Sequence, residues 1–107
     1  MTNFISTGST YWISDEEIQI LEKNATNGDK NSAFKLYQYH MFVSLDQDLE
    51  FKWLEIAAKN GHPIAQSNLA DLFFTQGNKE KAIFWAKKAY RNGAKLPDEL
   101  IILININ

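Results

Sequence analysis

His40 and His62 are the only histidines of this chain, and the acids Asp46, Asp48 and Glu50 lie close together. These are the side chains that could move a proton or hold a metal. A zinc site needs several His, Cys or carboxylate ligands at set spacings, and neither histidine stands in an HxxxH or HxxE pattern. There is no cysteine, which removes thiolate ligands and disulfides and suits a reducing compartment. A calcium loop needs a central Gly and a distal bidentate Glu, and the stretch SLDQDLE lacks both. The acids there read more simply as a helix-capping turn. GNK at 77–79 is a turn and not a phosphate-binding loop, and no serine sits in a G-x-S-x-G elbow. No metal, cofactor or catalytic set is expected.

Net charge is −2, which argues against a nucleic-acid binder. The charge is unevenly placed. Residues 1–60 carry 5 Lys/Arg against 9 Asp/Glu, and residues 61–107 carry 6 against 4. The basic run Lys79, Lys81, Lys87, Lys88, Arg91 and Lys95 flanks an apolar stripe without interleaved aromatics for base stacking. The start, MTNFISTGSTYW, has no basic segment leading into an apolar run, so a secretory signal is not expected. The longest greasy stretch, residues 100–104, is too short to span a bilayer. The expected location is the cytoplasm.

The elements that must carry these residues announce themselves by repetition. WLEIAAKNG at 53–61 returns as WAKKAYRNG at 85–93, with Trp53, Ala57 and Gly61 answering to Trp85, Ala89 and Gly93. An Asn-Gly pair also closes the preceding segment, at Asn27-Gly28. Glycine reaches the left-handed conformation cheaply, so each pair reads as a helix stop. Between the stops, apolar residues recur at helical spacing. Ala33, Tyr37 and Met41 line one helix, and Leu49, Trp53, Ile56 and Ala57 the next. Ala65, Leu69 and Phe73 then line a third, and Ala82, Trp85, Ala86 and Ala89 a fourth. The alanines allow close helix approach, and both tryptophans are expected to fill the space between helices. SDEE at 14–17 is a capping-box pattern opening an earlier helix, and LPDELIILI suggests a last short one, though its isoleucines also permit an extended tail. Helices are thus expected near 15–27, 30–42, 47–60, 63–76, 79–92 and 97–104, antiparallel to their neighbours across short loops.

The residues K-A-x-x-W-x-x-K-A at 81–89 with Gly93, and G-H-P-x-A-Q-x-x-L-A at 61–70, resemble a Sel-one-like repeat, a relative of the tetratricopeptide repeat. The resemblance covers roughly residues 28–93. It implies an all-α fold, a short α-solenoid of antiparallel helix pairs (a TPR-like α/α superhelix). The divisions would be a strap and capping helix at 1–28, repeats at 29–61 and 62–93, and a cap at 94–107. Tyr37, Gln38 and Ile56 depart from the family pattern, and the turns between paired helices are shortened. The resemblance also implies a protein-binding role. Short bacterial members standing nearly alone resemble immunity proteins, which bind and block a cognate toxin domain such as a nuclease.

In such a stack the first helix of each pair faces the inner side. Tyr39, Phe42, Asp71 and Phe74 exceed the apolar stripes and are expected to share that surface, with Asp46 and Asp48 at its rim. Aromatic side chains ringed by acid would suit a basic partner. Phe4, Tyr11 and Trp12 form a second candidate, as a lid on the first unit or as a grip on a partner. A protein partner, no nucleic acid or membrane, and a monomer or weak dimer are therefore expected. The other readings are a general adaptor or scaffold module and, on weaker ground, an enzyme or metal protein using His40 or His62.

Overall fold

The computed structural model describes residues 11–106, with the backbone alone at Ile106. Phe4, half of the expected N-terminal lid, lies outside them. The described residues form α1 (Asp15–Thr26), α2 (Lys30–Tyr39), a π-helical turn (His40–Ser44), α3 (Gln47–Lys59), α4 (Pro63–Thr75), α5 (Lys79–Arg91) and α6 (Asp98–Ile106). The fold is all-α. No strand occurs among the described residues.

α1 to α5 each start on a side chain that accepts an otherwise orphaned backbone N–H. Ser14 accepts from Glu17, Asp29 from Asn31 and Ser32, Asp46 from Leu49, His62 from Ala65 and Asn78 from Lys81. The acidic turn at 46–50 is thus a cap, as its spacing suggests. The reciprocal half of the capping box is not made: Glu17 reaches Lys35 at 3.5 Å. Each Asn-Gly stop closes in one way. Gly28, Gly61 and Gly93 have φ of 104°, 100° and 90° and donate to the carbonyls of Ala25, Ala58 and Tyr90. Gly61 and Gly93, grouped with the repeat pattern by their spacing, therefore sit in the turns, as the helix-stop reading expects.

Two expectations change, and the one left open, the C-terminal segment, is decided. The helix expected over 30–42 is α-helical only to Tyr39. It widens into the π turn, where His40 turns inward and its Nδ1 lies 2.7 Å from the Ser44 hydroxyl. The chain then leaves through Leu45 at φ 58°, a left-handed residue without the help of glycine. The tail at 97–107 resolves as helix α6, which seats Leu100 and Leu103 in the core. The two tryptophans are not equivalent. Trp53 is 2% exposed, whereas Trp85 is only partly buried against the core. The reason is the neighbours: α3 packs against the full-length helices α2 and α4, while α5 is followed by the short α6.

The core runs the length of the chain through Ala33, Leu36, Tyr37, Trp53, Ala57, Ala65, Leu69, Ala82, Ala86, Ala89 and Leu100. Alanines at the helix contacts let backbones approach closely. Every substantial helix contact among the described residues joins chain neighbours, from α1 with α2 through to α5 with α6.

Candidate functional site

Three adjoining hollows among the described residues form a groove. One, of about 390 Å³, lies among Gln47, Glu50, Phe51, Leu54, Leu72 and Gln76. It shares Glu50, Leu54 and Leu72 with a hollow of about 330 Å³ that adds Tyr37, Asn68, Asp71 and Thr75. Asn68 and Asp71 continue into the largest, about 640 Å³, closed by Pro63, Ile64, Ser67, Ala94, Lys95 and Pro97. The groove thus crosses α2, α3 and α4 and ends at the link from α5 to α6.

Helical spacing explains the lining. Ile64, Ser67, Asn68, Asp71 and Thr75 fall on one stripe of α4, beside the face that Leu69 and Phe73 bury. In the middle hollow, Asn68 donates from Nδ2 to the Tyr37 hydroxyl at 3.3 Å. Burial raises the Tyr37 pKa above its ordinary value; the Asn68 bond opposes that and the Glu50 charge adds to it. The phenol therefore stays neutral and can donate its proton to a bound acceptor. Glu50 and Asp71 give the centre negative charge, Lys95 adds one cation at the far end, and Gln47 and Gln76 offer amides at the near end. Such a lining can hydrogen-bond an extended polypeptide backbone and take a cationic side chain. It holds no histidine and no nucleophile paired with a base.

Of the six partner-binding residues expected from the sequence, Asp71 lines this groove. The others go elsewhere, each for a local reason. Asp46 caps α3, and Asp48 stands exposed in that helix's first turn. Phe74 packs against the core. Tyr39 meets the edge of His40 at 5.0 Å. Phe42, moved by the π turn, stacks on Tyr11 at 4.6 Å. Tyr11 thus closes over the first helix pair as one half of a lid, while Trp12 stays exposed. The signal that could have found Asn68 was the α4 stripe one step round from the core, which also carries Asp71; Tyr37 and Glu50, on α2 and α3, carry no such signal.

The histidines serve the fold. His62 caps α4 through Nδ1, 3.3 Å from the Ala65 N–H, and stacks on Phe34 at 4.0 Å. Burial, then the nearby Lys30 charge, lowers its pKa. Burial also lowers that of His40, against the raising effects of Asp46 and Glu22, and Lys52 lowers it further. His40 Nε2 and Trp53 Nε1 are buried without a hydrogen-bond partner among the described residues. No cluster of three or more His, Cys, Asp or Glu able to hold a metal ion occurs among them. No described helix is long and apolar enough to cross a membrane. The basic run on α5 does have aromatics beside it, contrary to expectation. The Phe84 and Trp85 rings meet edge to face at 5.1 Å, and Lys88 Nζ lies 5.5 Å from the first and 6.0 Å from the second.

No family model matches the chain. No solved structure matches it either. It is similar to the uncharacterized protein YibG of Escherichia coli (strain K12), at 34% identity over 95 residues, which cover 82% of this chain and 62% of YibG. The chain therefore spans less than two thirds of that relative's length.

Proposed function

We propose that this chain is a protein-binding module, a short α-solenoid of the Sel-one-like type whose groove takes a segment of another protein. The observation that carries the reading is the continuity of the groove, with Asn68 and Asp71 common to the largest hollow and the middle one, and Glu50 common to the middle one and the third. Helix contacts confined to chain neighbours favour an open stack, and a lining that mixes apolar side chains with amides and carboxylates favours a polypeptide over a small apolar ligand. The lining includes Glu50 and Asp71, so a basic segment is the better fit.

In its most concrete form the partner is a toxin domain, a nuclease for example, and the chain is its cytoplasmic immunity protein. A basic enzyme that binds polyanions would present the charge this groove attracts. The test is co-expression with the product of the adjacent open reading frame. Co-purification, protection of the host, and loss of both on Asp71→Arg support the reading. Protection that survives Asp71→Arg removes the groove from it, and absence of both co-purification and protection removes the toxin. A general adaptor is the second reading, favoured by the same groove; it requires capture of a partner unrelated to the neighbouring gene through Asp71.

A further inference from the structure

The outward face of α5 and the outward face of α1 match each other in reverse order. The stretch 79–95 holds Lys79, Lys81, Lys87, Lys88, Arg91 and Lys95 against a single acid, Glu80. None of these cations takes part in an ion pair among the described residues, whose pairs are Lys35–Glu17 and Lys59–Glu55. At 100° per residue, Glu80, Phe84, Lys88 and Arg91 share the side of α5 opposite its buried Ala82, Ala86 and Ala89. Phe84 sits at the centre of that face with 53% of its surface exposed. A large ring left in water among unpaired cations marks a surface with something to cover.

The complementary face is on the same chain. In α1, Asp15, Glu16, Ile20 and Lys23 are exposed, and Ile20 is 59% exposed. Laid antiparallel, α5 read from its N-terminus meets α1 read from its C-terminus. Glu80 then faces Lys23, Phe84 faces Ile20 and Lys88 faces Glu16. Glu80 to Lys88 spans roughly 12 Å at 1.5 Å per residue, and Lys23 to Glu16 roughly 10.5 Å. Both charge pairs are opposite in sign and the apolar anchors coincide. Within one molecule the contact cannot form, because α1 packs at one end of the chain-ordered stack and α5 near the other.

We infer that α5 of one copy docks antiparallel on α1 of a second copy, a head-to-tail contact. Neither face lines the groove, so self-association and partner capture are separate. A polynucleotide would also be drawn to the cations, but its uniform charge would be repelled by the acidic remainder of the chain, and the exposed rings of α5, Phe84 and Tyr90, lie on different sides of the helix and offer no run of stacking platforms. A membrane would find no continuous apolar face for the same reason, because the alanine face of α5 is buried. A pair of short helices covers less than a permanent interface does, so the contact is reversible and sensitive to salt.

Sedimentation of the full chain over a concentration series, at low and at high salt, tests this. The weight-average mass should rise with concentration at low salt and stay at one chain at high salt. Lys88→Glu and Glu16→Lys should each remain at one chain, and an equimolar mixture of the two should regain the concentration-dependent association, because each altered face meets a complementary one on the other variant. Phe84→Ser, which leaves the charges unchanged, should also lose association while keeping its helical circular dichroism. A wild-type chain that stays single throughout, swapped variants that associate as wild type, a mixture that remains single, or unaltered association of Phe84→Ser would each overturn the proposal.

Discussion

Asn92 donates through Nδ2 to the Gln66 side-chain oxygen at 2.9 Å, and Gln66 passes the link on, its Nε2 donating to the Ala58 carbonyl at 3.0 Å. The end of α5 is thereby tied to the end of α3 through a side chain of α4. One unit earlier the tie is direct, Asn60 Nδ2 reaching the Ala25 carbonyl at 3.4 Å. Asn60 and Asn92 are therefore struts to earlier helices, while the Gly after each turns the chain.

Gln66 is fully buried, so its replacement by Leu should cost about 1–2 kcal/mol, the range for loss of buried hydrogen bonds. The Ala58 carbonyl still accepts from Gly61, which keeps the loss from being larger. Asn92→Ala should cost less, since Asn92 is exposed and water can replace it. Urea unfolding of the three proteins measures the order.

Trp53→Ala should cost about 3–5 kcal/mol, the usual penalty for emptying a large buried aromatic site. Trp85→Ala should cost clearly less, because part of that ring already meets water. Equal midpoint shifts in denaturant would contradict the difference in burial.

Acid should weaken the fold through its histidines. Both folded pKa values lie below the ordinary 6.5, so the unfolded chain binds protons first as pH falls. The contribution is whole above about 6.5 and is lost as pH drops towards the lowered folded values. Asp29, whose pKa the Ser32 hydrogen bonds lower, acts in the same direction but below 3.8. His62→Asn, which can still cap α4 but does not titrate, should flatten the slope of melting temperature between about pH 7 and pH 5.5.

Left-handed positions should respond with opposite signs. Gly61→Ala meets no atom within 4 Å, so its cost is conformational alone, about 1–2 kcal/mol. Leu45→Gly should stabilise by up to about 1 kcal/mol, because Leu45 holds φ 58° and is 70% exposed. Thermal melts of the two variants give the signs directly.

The helices were legible because their signals are local. Capping residues, apolar spacing and Asn-Gly stops bracket α1, α3, α4 and α5 to within one residue of the observed ends. The π turn was not legible: His40 to Ser44 continues a helical pattern, and its departure depends on an inward ring and a serine four residues on. The same shift carried Phe42 away from the inner surface. Asp71 could be placed because it stands one step from the Leu69–Phe73 stripe. Tyr37 was read only as core, since an apolar pattern does not show that a ring's hydroxyl end lies open to a groove. The difference between Trp53 and Trp85 was hidden as well, being set by the length of the next helix and not by their matching surroundings in sequence.

Packing that links each helix mainly to the one before and the one after has a kinetic side. Little chain need be looped before any contact is rewarded, so this protein should fold within about microseconds to milliseconds, as helical proteins of low contact order do. Its order should also be lost from the extremities inward, with amide protons of α6 exchanging ahead of those in α3 and α4.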